Sequence, residues 1–421
     1  MKKTIKQQRI LFWSLFKWVF ISIGIGFVVG ISVGLFLTLL KTTVKIYTND
    51  NLYLLLPFAL LITNFLIKRF SDEKESHGTD KIIDALHKKS GKINIIKLPI
   101  DILTTVLTIS FGGSAGKESP SAQLGGTISS FIGQLFKLKN DDLKKIVICG
   151  IGSGFSAVFG TPIAGAIFGI EVLFVGKLLY DVLLPSFVSS VVTVMVVNLF
   201  FNIENLTNII ITFPKFSFYS LFISIVCGIF FGLISYLFIE IFNIFKNLSL
   251  KIKGFYLYSL IVGTILVIIY RFVSKDLGGI GMDVVKNSLN GKEYPFYYPI
   301  LKILTTSLTL NFGGDGGLIN PIFFIGSTSG NLLSTIFPKF NIQFFSILGL
   351  VSLLAGTTNT PLASSLLALE IAGPSIAPYA SISCLVSFLI TGHKSIYSSQ
   401  VLAMKKVEEI EGKIGEQIKG I

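Results

Sequence analysis

The chain has 421 residues, of which 51% are hydrophobic and only 14% are charged, whereas a soluble domain carries about 25% charged residues. This composition excludes an ordinary soluble domain and predicts an all-α, polytopic membrane protein, since a β-barrel would show short segments of alternating hydrophobicity. The net charge is +13, but the lysines lie in short clusters between apolar runs. We therefore expect the lipid bilayer, and no nucleic acid, as a partner.

The first element is a basic N-terminus, residues 1–9, which the excess of positive charge assigns to the cytoplasm. Uncharged runs of about 18 residues or more, long enough to cross a bilayer, follow at residues 18–40, 182–203, 216–239 and 371–392. Glycines through the first run predict close helix packing. Cys149, Cys227 and Cys384 lie in or beside apolar stretches, so we expect them to be buried and unpaired.

Shorter elements lie between these runs. A second span covers residues 51–67, and a short helix at residues 80–89 is capped by Thr79 or Asp80. The remaining predicted helices are residues 99–111, 121–136, two helices within 146–174 that are separated at 160–162, 216–245, 254–272, 299–312, 322–337, 344–355, 361–369 and 372–389. A charged tail ends the chain, and we expect it to be cytoplasmic.

The two halves of the chain contain the same three motifs in the same order. HGTD at residues 77–80 matches IGMD at 280–283, FGGSAGKESP at 111–120 matches FGGDGGLINP at 312–321, and GTPIAGAIFGIE at 160–171 matches NTPLASSLLALE at 359–370. The chain therefore divides into a first repeat (10–203), a linker (204–215), a second repeat (216–402) and a tail (403–421). Such repeats are typical of transporters whose substrate site lies between the repeats on broken helices.

The two glycine-rich loops, 112–120 and 313–321, each lead directly into a helix. A helix N-terminus presents free backbone N–H groups and a partial positive charge. Two such ends that converge inside the membrane would bind an anion with little side-chain charge. Glu118 lies in this field, and two interpretations stay open. It is either a protonatable gate that competes with the anion, or a carboxylate that pairs with a cation and only caps its helix.

The segments 116–120 (GKESP) and 317–321 (GLINP), followed by Tyr397, resemble the CLC family of chloride channels and chloride/proton antiporters. The resemblance extends over residues 12–402. It implies a CLC-type inverted repeat with broken and re-entrant helices, a homodimer in the cell membrane, chloride or another small anion as the ligand, and no cofactor. The tail is too short for the paired regulatory CBS domains of eukaryotic members, so the prokaryotic type is expected.

The resemblance also assigns roles to single residues. Glu118 corresponds to the gating glutamate, and the Tyr397 hydroxyl to the one that meets the central anion. The alternative for Tyr397 is a place in the interfacial aromatic belt. The anion donors implied by the family are the backbone N–H groups of Lys117, Ser119, Leu318 and Ile319.

Three departures from the family pattern bear on mechanism. The family's central serine motif is replaced by SHGTD at residues 76–80, so either Thr79 or His77 stands in its place. The inner proton-handling glutamate of the antiporters is replaced by Val172, which favours a channel or a loosely coupled exchanger and leaves Glu171 and Glu370 as structural residues. The stretch before Glu118 also resembles the fluoride-exporting branch, so a fluoride/proton antiporter is the alternative to transport of chloride-type anions.

Two other classes of function fit the sequence less well. A membrane-embedded enzyme is not expected, because the three histidines, His77, His87 and His393, are too few and too scattered for a metal hydrolase. A carrier of cations or organic solutes would need acidic residues in its spans. Glu240 is the main candidate, and we expect it to be a glutamate at a helix end or at the membrane interface.

Overall fold

The computed structural model describes residues 2–49, 51–70, 78–203, 206, 214, 216–252 and 255–418. These residues form sixteen α-helices, joined in places by short 3₁₀ turns. The first half contains α1 (Lys2–Asn49), α2 (Leu56–Phe70), α3 (Thr79–Lys88), α4 (Leu98–Ser110), α5 (Glu118–Leu135), α6 (Asn140–Phe159), α7 (Pro162–Glu171) and α8 (Leu183–Phe201). The second half contains α9 (Phe218–Lys251), α10 (Phe255–Phe272), α11 (Met282–Leu289), α12 (Tyr298–Asn311), α13 (Ile319–Ile336), α14 (Ile342–Thr358), α15 (Pro361–Ala372) and α16 (Ala377–Ile390).

Four stretches of the described chain are helical, long and apolar enough to cross a membrane. They are Lys6–Lys45, Leu52–Phe70, Tyr180–Phe201 and Phe218–Lys251. The predicted run at residues 371–392 is not continuous, because Gly373 adopts a φ of +85° and a 3₁₀ turn at Pro374–Ile376 precedes α16. The chain is therefore a multi-pass membrane protein in which several helices are shorter than the bilayer is thick.

Small residues allow the helices to pack closely, as the glycines of the first run predicted. A Cβ atom on Gly26 of α1 would lie 2.4 Å from the Ser189 carbonyl oxygen of α8. Helices α5 and α6 pack equally closely, because a Cβ atom on Gly125 would lie 2.1 Å from the Gly150 carbonyl oxygen. Without a hydrophobic force between helices in lipid, such close backbone contact supplies much of the packing energy.

The two halves meet in antiparallel fashion at the glycine-rich loops. Gly116 and Gly317 exchange two backbone hydrogen bonds, each of 2.7 Å. On either side of this bridge, the Asp315 N–H donates to the Thr108 hydroxyl (2.9 Å) and the Ser114 N–H donates to that of Thr309 (3.2 Å). Each half thus supports the loop of the other half in the same way. The repeat is inverted, as the resemblance implied.

Several local features differ from the predictions. Helix α5 begins at Glu118 and not at residue 121, so Glu118 lies in its first turn. The N-cap of α3 is Gly78, with a φ of +52°, and not Thr79 or Asp80. Helix α11 is absent from the predicted helices, although its sequence aligns with that of α3.

The end of the chain also folds onto the membrane domain in a way the sequence did not predict. Strand β1 (Phe174–Val175) pairs in parallel with strand β2 (Val401–Leu402).

The three cysteines are buried and unpaired, as predicted. Of the linker 204–215, only residues 206 and 214 are among those described.

Candidate functional site

Two broken helices converge where the halves meet. Helix α4 ends at Ser110 and α5 begins at Glu118, and in the second half α12 ends at Asn311 and α13 begins at Ile319. The two loops are joined by the Gly116–Gly317 bridge described above. The N-terminal ends of α5 and α13, with their free N–H groups and partial positive charge, therefore lie next to each other inside the protein.

Glu118 lies at this junction and has no exposed surface. Its Oε1 atom accepts a hydrogen bond of 2.5 Å from the Ile319 N–H, and the Asn320 N–H also faces the carboxylate. A Cβ atom on either Gly116 or Gly317 would lie 2.3 Å from a carboxylate oxygen, so a side chain at either position would displace the carboxylate from this place. The Glu118 carboxylate thus occupies the N-terminus of the helix in the other half, where a free anion would bind.

Three hydroxyl groups face one another beside Glu118. They belong to Thr79 at the start of α3, Ser119 in the first turn of α5, and Tyr397 in the turn that follows α16. All three residues are buried, and their hydroxyls have no hydrogen-bond partner within the described part of the chain. An unsatisfied buried polar group costs about 1–3 kcal/mol. Three such groups in one place fit a small anion that accepts their protons.

A single carboxylate positions two of these hydroxyls. Asp80, adjacent to Thr79, accepts hydrogen bonds from the Ser399 N–H (2.9 Å) and the Ser398 hydroxyl (3.1 Å). These contacts fix the turn that carries Tyr397 against the start of α3. Asp80 was expected as a possible helix cap, but its carboxylate instead holds two segments that are more than 300 residues apart in sequence.

Asn320 is a site residue that the sequence reasoning missed. It is fully buried, and neither its amide oxygen nor its amide nitrogen has a partner among the residues described. The repeat contained the signal, because Asn320 in FGGDGGLINP aligns with Ser119 in FGGSAGKESP. The two halves thus each place a polar side chain in the first turn of a broken helix.

The other residues that the sequence singled out lie at separate places. Lys117 and Leu318 are the N-cap residues of α5 and α13, so their backbones lie at the two converging helix ends. His77 lies outside the described residues, so of the two candidates for the family's central serine only Thr79 can be located. Val172 is completely buried at the end of α7.

Glu171 on α7 caps the start of α15, and Glu370 on α15 caps the start of α7. The Glu171 carboxylate accepts from the N–H groups of Leu362 and Ala363 at the start of α15, at 3.1 and 2.8 Å. The Glu370 carboxylate accepts from two N–H groups at the start of α7, at 2.9 and 2.7 Å. This reciprocal capping is a structural contact and supports the structural role expected for both residues.

Glu240 forms an ion pair with Lys394, and both side chains are more than one-third exposed. It therefore lies away from the converging helix ends. This position agrees with the interfacial glutamate that was expected, and it gives no support to a cation site on α9.

Comparison with known proteins identifies the family. Residues 58–392 match the model of the voltage gated chloride channel family. A chloride/fluoride channel protein of Pseudomonas syringae pv. tomato is 32% identical over 78% of this chain and 74% of its own length. An H(+)/Cl(-) exchange transporter, ClcA, of Vibrio cholerae is 26% identical over 76% of this chain and 71% of its own length.

Solved structures show the same fold. A CLC-type fluoride/proton antiporter superposes with a TM-score of 0.85 at 25% identity, covering 92% of this chain and 98% of that one. A slow cyanobacterial Cl-/H+ antiporter superposes with a TM-score of 0.77 at 21% identity, covering 89% and 94%. The converging helix ends, the inverted repeat and these matches lead to one conclusion: the chain belongs to the CLC family of anion channels and antiporters.

Proposed function

We propose that this protein carries chloride-type anions across the cell membrane through the site between α3, α5, α13 and Tyr397, with Glu118 as its gate. One observation carries the proposal. The Glu118 carboxylate is bound at the N-terminus of α13 beside three buried hydroxyls that lack partners within the described chain. A group of donors that binds a carboxylate and has spare O–H groups suits a small halide ion.

The gate would work by exchange of one anion for another. The ionised carboxylate is held by the Ile319 and Asn320 N–H groups and by the positive end of α13. When it takes up a proton, it loses most of this attraction and leaves the site. The transported anion then accepts hydrogen bonds from the backbone N–H groups of Ile319, Leu318, Lys117 and Ser119, and from the hydroxyls of Thr79 and Tyr397.

We propose that transport is coupled to protons. The gate residue is completely buried, and a carboxylate in that position can leave only after it receives a proton. The direction from which the proton arrives then determines the direction of coupling. The Vibrio cholerae relative is named as an exchange transporter, whereas the Pseudomonas relative is named as a channel. The experiment must therefore distinguish proton-coupled anion transport from uncoupled anion flow.

Fluoride is the second candidate substrate. It is favoured by the similarity to the CLC-type fluoride/proton antiporter over 92% of this chain and by the name of the Pseudomonas relative. Fluoride is a small anion and a strong hydrogen-bond acceptor, so the three free hydroxyls would suit it as well. The site chemistry supports both ions, and their relative rates decide between them.

The family resemblance also supports a homodimer. Helices α7 and α15 are tied by the reciprocal capping of Glu171 and Glu370, and they present Ile163 and Leu362 at matching positions. Both side chains are more than one-third exposed. An apolar face of this kind would pack against its copy in the membrane.

The test is efflux from proteoliposomes loaded with chloride or with fluoride, with an anion electrode and a pH electrode in the same vessel. We expect anion efflux together with uphill proton movement in the opposite direction. Efflux without proton movement would make the protein a channel. Absence of efflux of either anion would refute the proposed function, and faster fluoride efflux would favour the second candidate.

A further inference from the structure

Asp315 is a second buried acid close to the gate, and the mechanism above does not use its side chain. It is only 4% exposed. Its Oδ2 atom accepts a hydrogen bond of 2.6 Å from the Thr104 hydroxyl of α4, and its Oδ1 atom accepts one of 2.9 Å from the Gly316 N–H. Gly316 directly precedes Gly317, against which the Glu118 carboxylate rests. An acid inside a membrane domain indicates a functional role.

A third carboxylate, that of Asp101, lies one helical turn before Thr104 on α4. Residues three apart in a helix lie on the same face, and the carboxylates of Asp101 and Asp315 are near enough to interact electrostatically. The Asp101 carboxylate is bound by the Lys81 ammonium of α3 (3.1 Å) and by the Gln123 side-chain amide of α5 (2.5 Å). Asp101 and Thr104 on α4, together with Asp315 bound to Thr104, therefore form a row of polar side chains.

A cavity of about 270 Å³ reaches this row from the protein surface. Asp101, Lys81 and Gln123 line it, and the other charged residues around it are Lys89, Lys92 and Lys97. This volume holds several water molecules.

The cavity opens on the cytoplasmic face. It lies among the lysine-rich residues that join α3 to α4, and the positive-inside bias assigns such residues to the cytoplasm. The first turn of α6 lies near the cytoplasmic N-terminal part of α1, because Asp142 there pairs with Lys17. Water that filled the cavity would connect the cytoplasm with Asp101.

We propose that cytoplasmic protons reach Glu118 through this cavity, Asp101, Thr104 and Asp315, on a path separate from the anion path past Tyr397. The inference rests on the proton-coupled function proposed above. It would also give a chain with Val172 in place of the antiporters' inner glutamate another acid on the cytoplasmic side.

The transfer steps balance without any other reactant. A hydronium ion that enters the cavity from the cytoplasm gives its proton to the Asp101 carboxylate and is left as water. The Thr104 hydroxyl then donates its own proton to Asp315 and takes up one from Asp101 through water, so the hydroxyl is restored. Asp315 passes the proton to Glu118 and is again a carboxylate. One proton has moved from the cytoplasm to the gate, and every relay group has regained its charge.

His87 is the main rival for this role. Its Nε2 atom contacts the Leu173 carbonyl oxygen at 3.1 Å, next to Val172, so it is a titratable group at the place where the family antiporters have their inner glutamate. It provides a matched control, because a path along α7 would depend on His87 and a path along α4 would not.

The experiment compares wild type, Asp315→Asn, Asp101→Asn, Thr104→Val and His87→Gln in proteoliposomes with both electrodes. We expect Asp315→Asn to lower proton movement per anion at least about tenfold, as loss of a proton-transfer group does, while anion efflux falls far less. Asp101→Asn and Thr104→Val should lower the same ratio, and His87→Gln should leave it unchanged. If Asp315→Asn does not fold, Asp101→Asn and Thr104→Val decide.

The outcomes separate this inference from the proposed function. Wild-type coupling that persists in the Asp101, Thr104 and Asp315 variants would overturn the α4 path, and so would coupling lost only in His87→Gln. Wild type that moves anions without protons would instead refute proton coupling itself, and the path with it.

Discussion

Replacing Glu118 with glutamine removes the charge of the gate and keeps its shape. The ionised carboxylate faces two backbone N–H groups, those of Ile319 and Asn320. A hydrogen bond to a charged acceptor contributes about 1 kcal/mol more than one to a neutral acceptor, and the helix end adds a further fraction. The closed state should therefore lose about 2–3 kcal/mol, which shifts the closed-to-open ratio roughly 30- to 150-fold toward open.

The readout is the pH dependence of anion efflux from proteoliposomes. In wild type, efflux should rise as the pH falls, because protonation releases Glu118 from the N–H groups. In Glu118→Gln, efflux should be nearly independent of pH, and proton movement should disappear. Glu240→Gln is the matched control, since Glu240 pairs with Lys394 outside the site, and it should behave like wild type. A Glu118→Gln variant that kept the wild-type pH dependence and coupling would refute the gate assignment.

Three further predictions follow from single contacts. Tyr397→Phe removes one of the free hydroxyls and should weaken anion binding about tenfold, measured by isothermal titration calorimetry of the purified protein. Glu171→Gln weakens the cap at the start of α15 and should lower the thermal unfolding temperature by a few degrees while coupling is retained. Burial acts to raise the pKa of Asp84, but hydrogen bonds from Lys88 and Gln417 outweigh it and hold that pKa below the ordinary 3.8. Gln417 lies in the C-terminal tail, so the ionised Asp84 carboxylate holds the tail against α3 at a pH above the lowered pKa and loses this effect as the pH falls through it. At pH 7, Asp84→Asn should therefore speed limited proteolysis of the tail.

The sequence predicted the main elements of the fold because their causes are local or repeated. Long uncharged runs revealed α1, α8 and α9, and the two glycine loops revealed the helix breaks after which α5 begins at Glu118 and α13 at Ile319. The same repeat contains the signal for Asn320 and for α11, which appears only when every side chain of the two halves is aligned and not the glycines and prolines alone.

Other features could not be predicted because they depend on distant contacts. The hydrogen bond from the Ile319 N–H to Glu118 joins residues that are 201 positions apart in the sequence. The hydrogen bond from the Ser399 N–H, in the turn that carries Tyr397, to Asp80 joins residues that are 319 positions apart. The pairing of β1 with β2 involves strands of only two residues each, which leave no periodic pattern. Thr104 and Asp315 are ordinary residues in the sequence and form a polar row only after the two halves come together.

Anomalous diffraction from crystals of Glu118→Gln grown in bromide tests the central claim most directly, because bromide stands in for chloride. We predict an anomalous peak at the N-terminus of α13, within hydrogen-bond distance of the Tyr397 hydroxyl and the Ile319 N–H. Wild-type crystals at the same bromide concentration should show a weaker peak beside Ile319, where the carboxylate competes. Bromide found elsewhere in the protein, with none between α13 and Tyr397, would contradict the account.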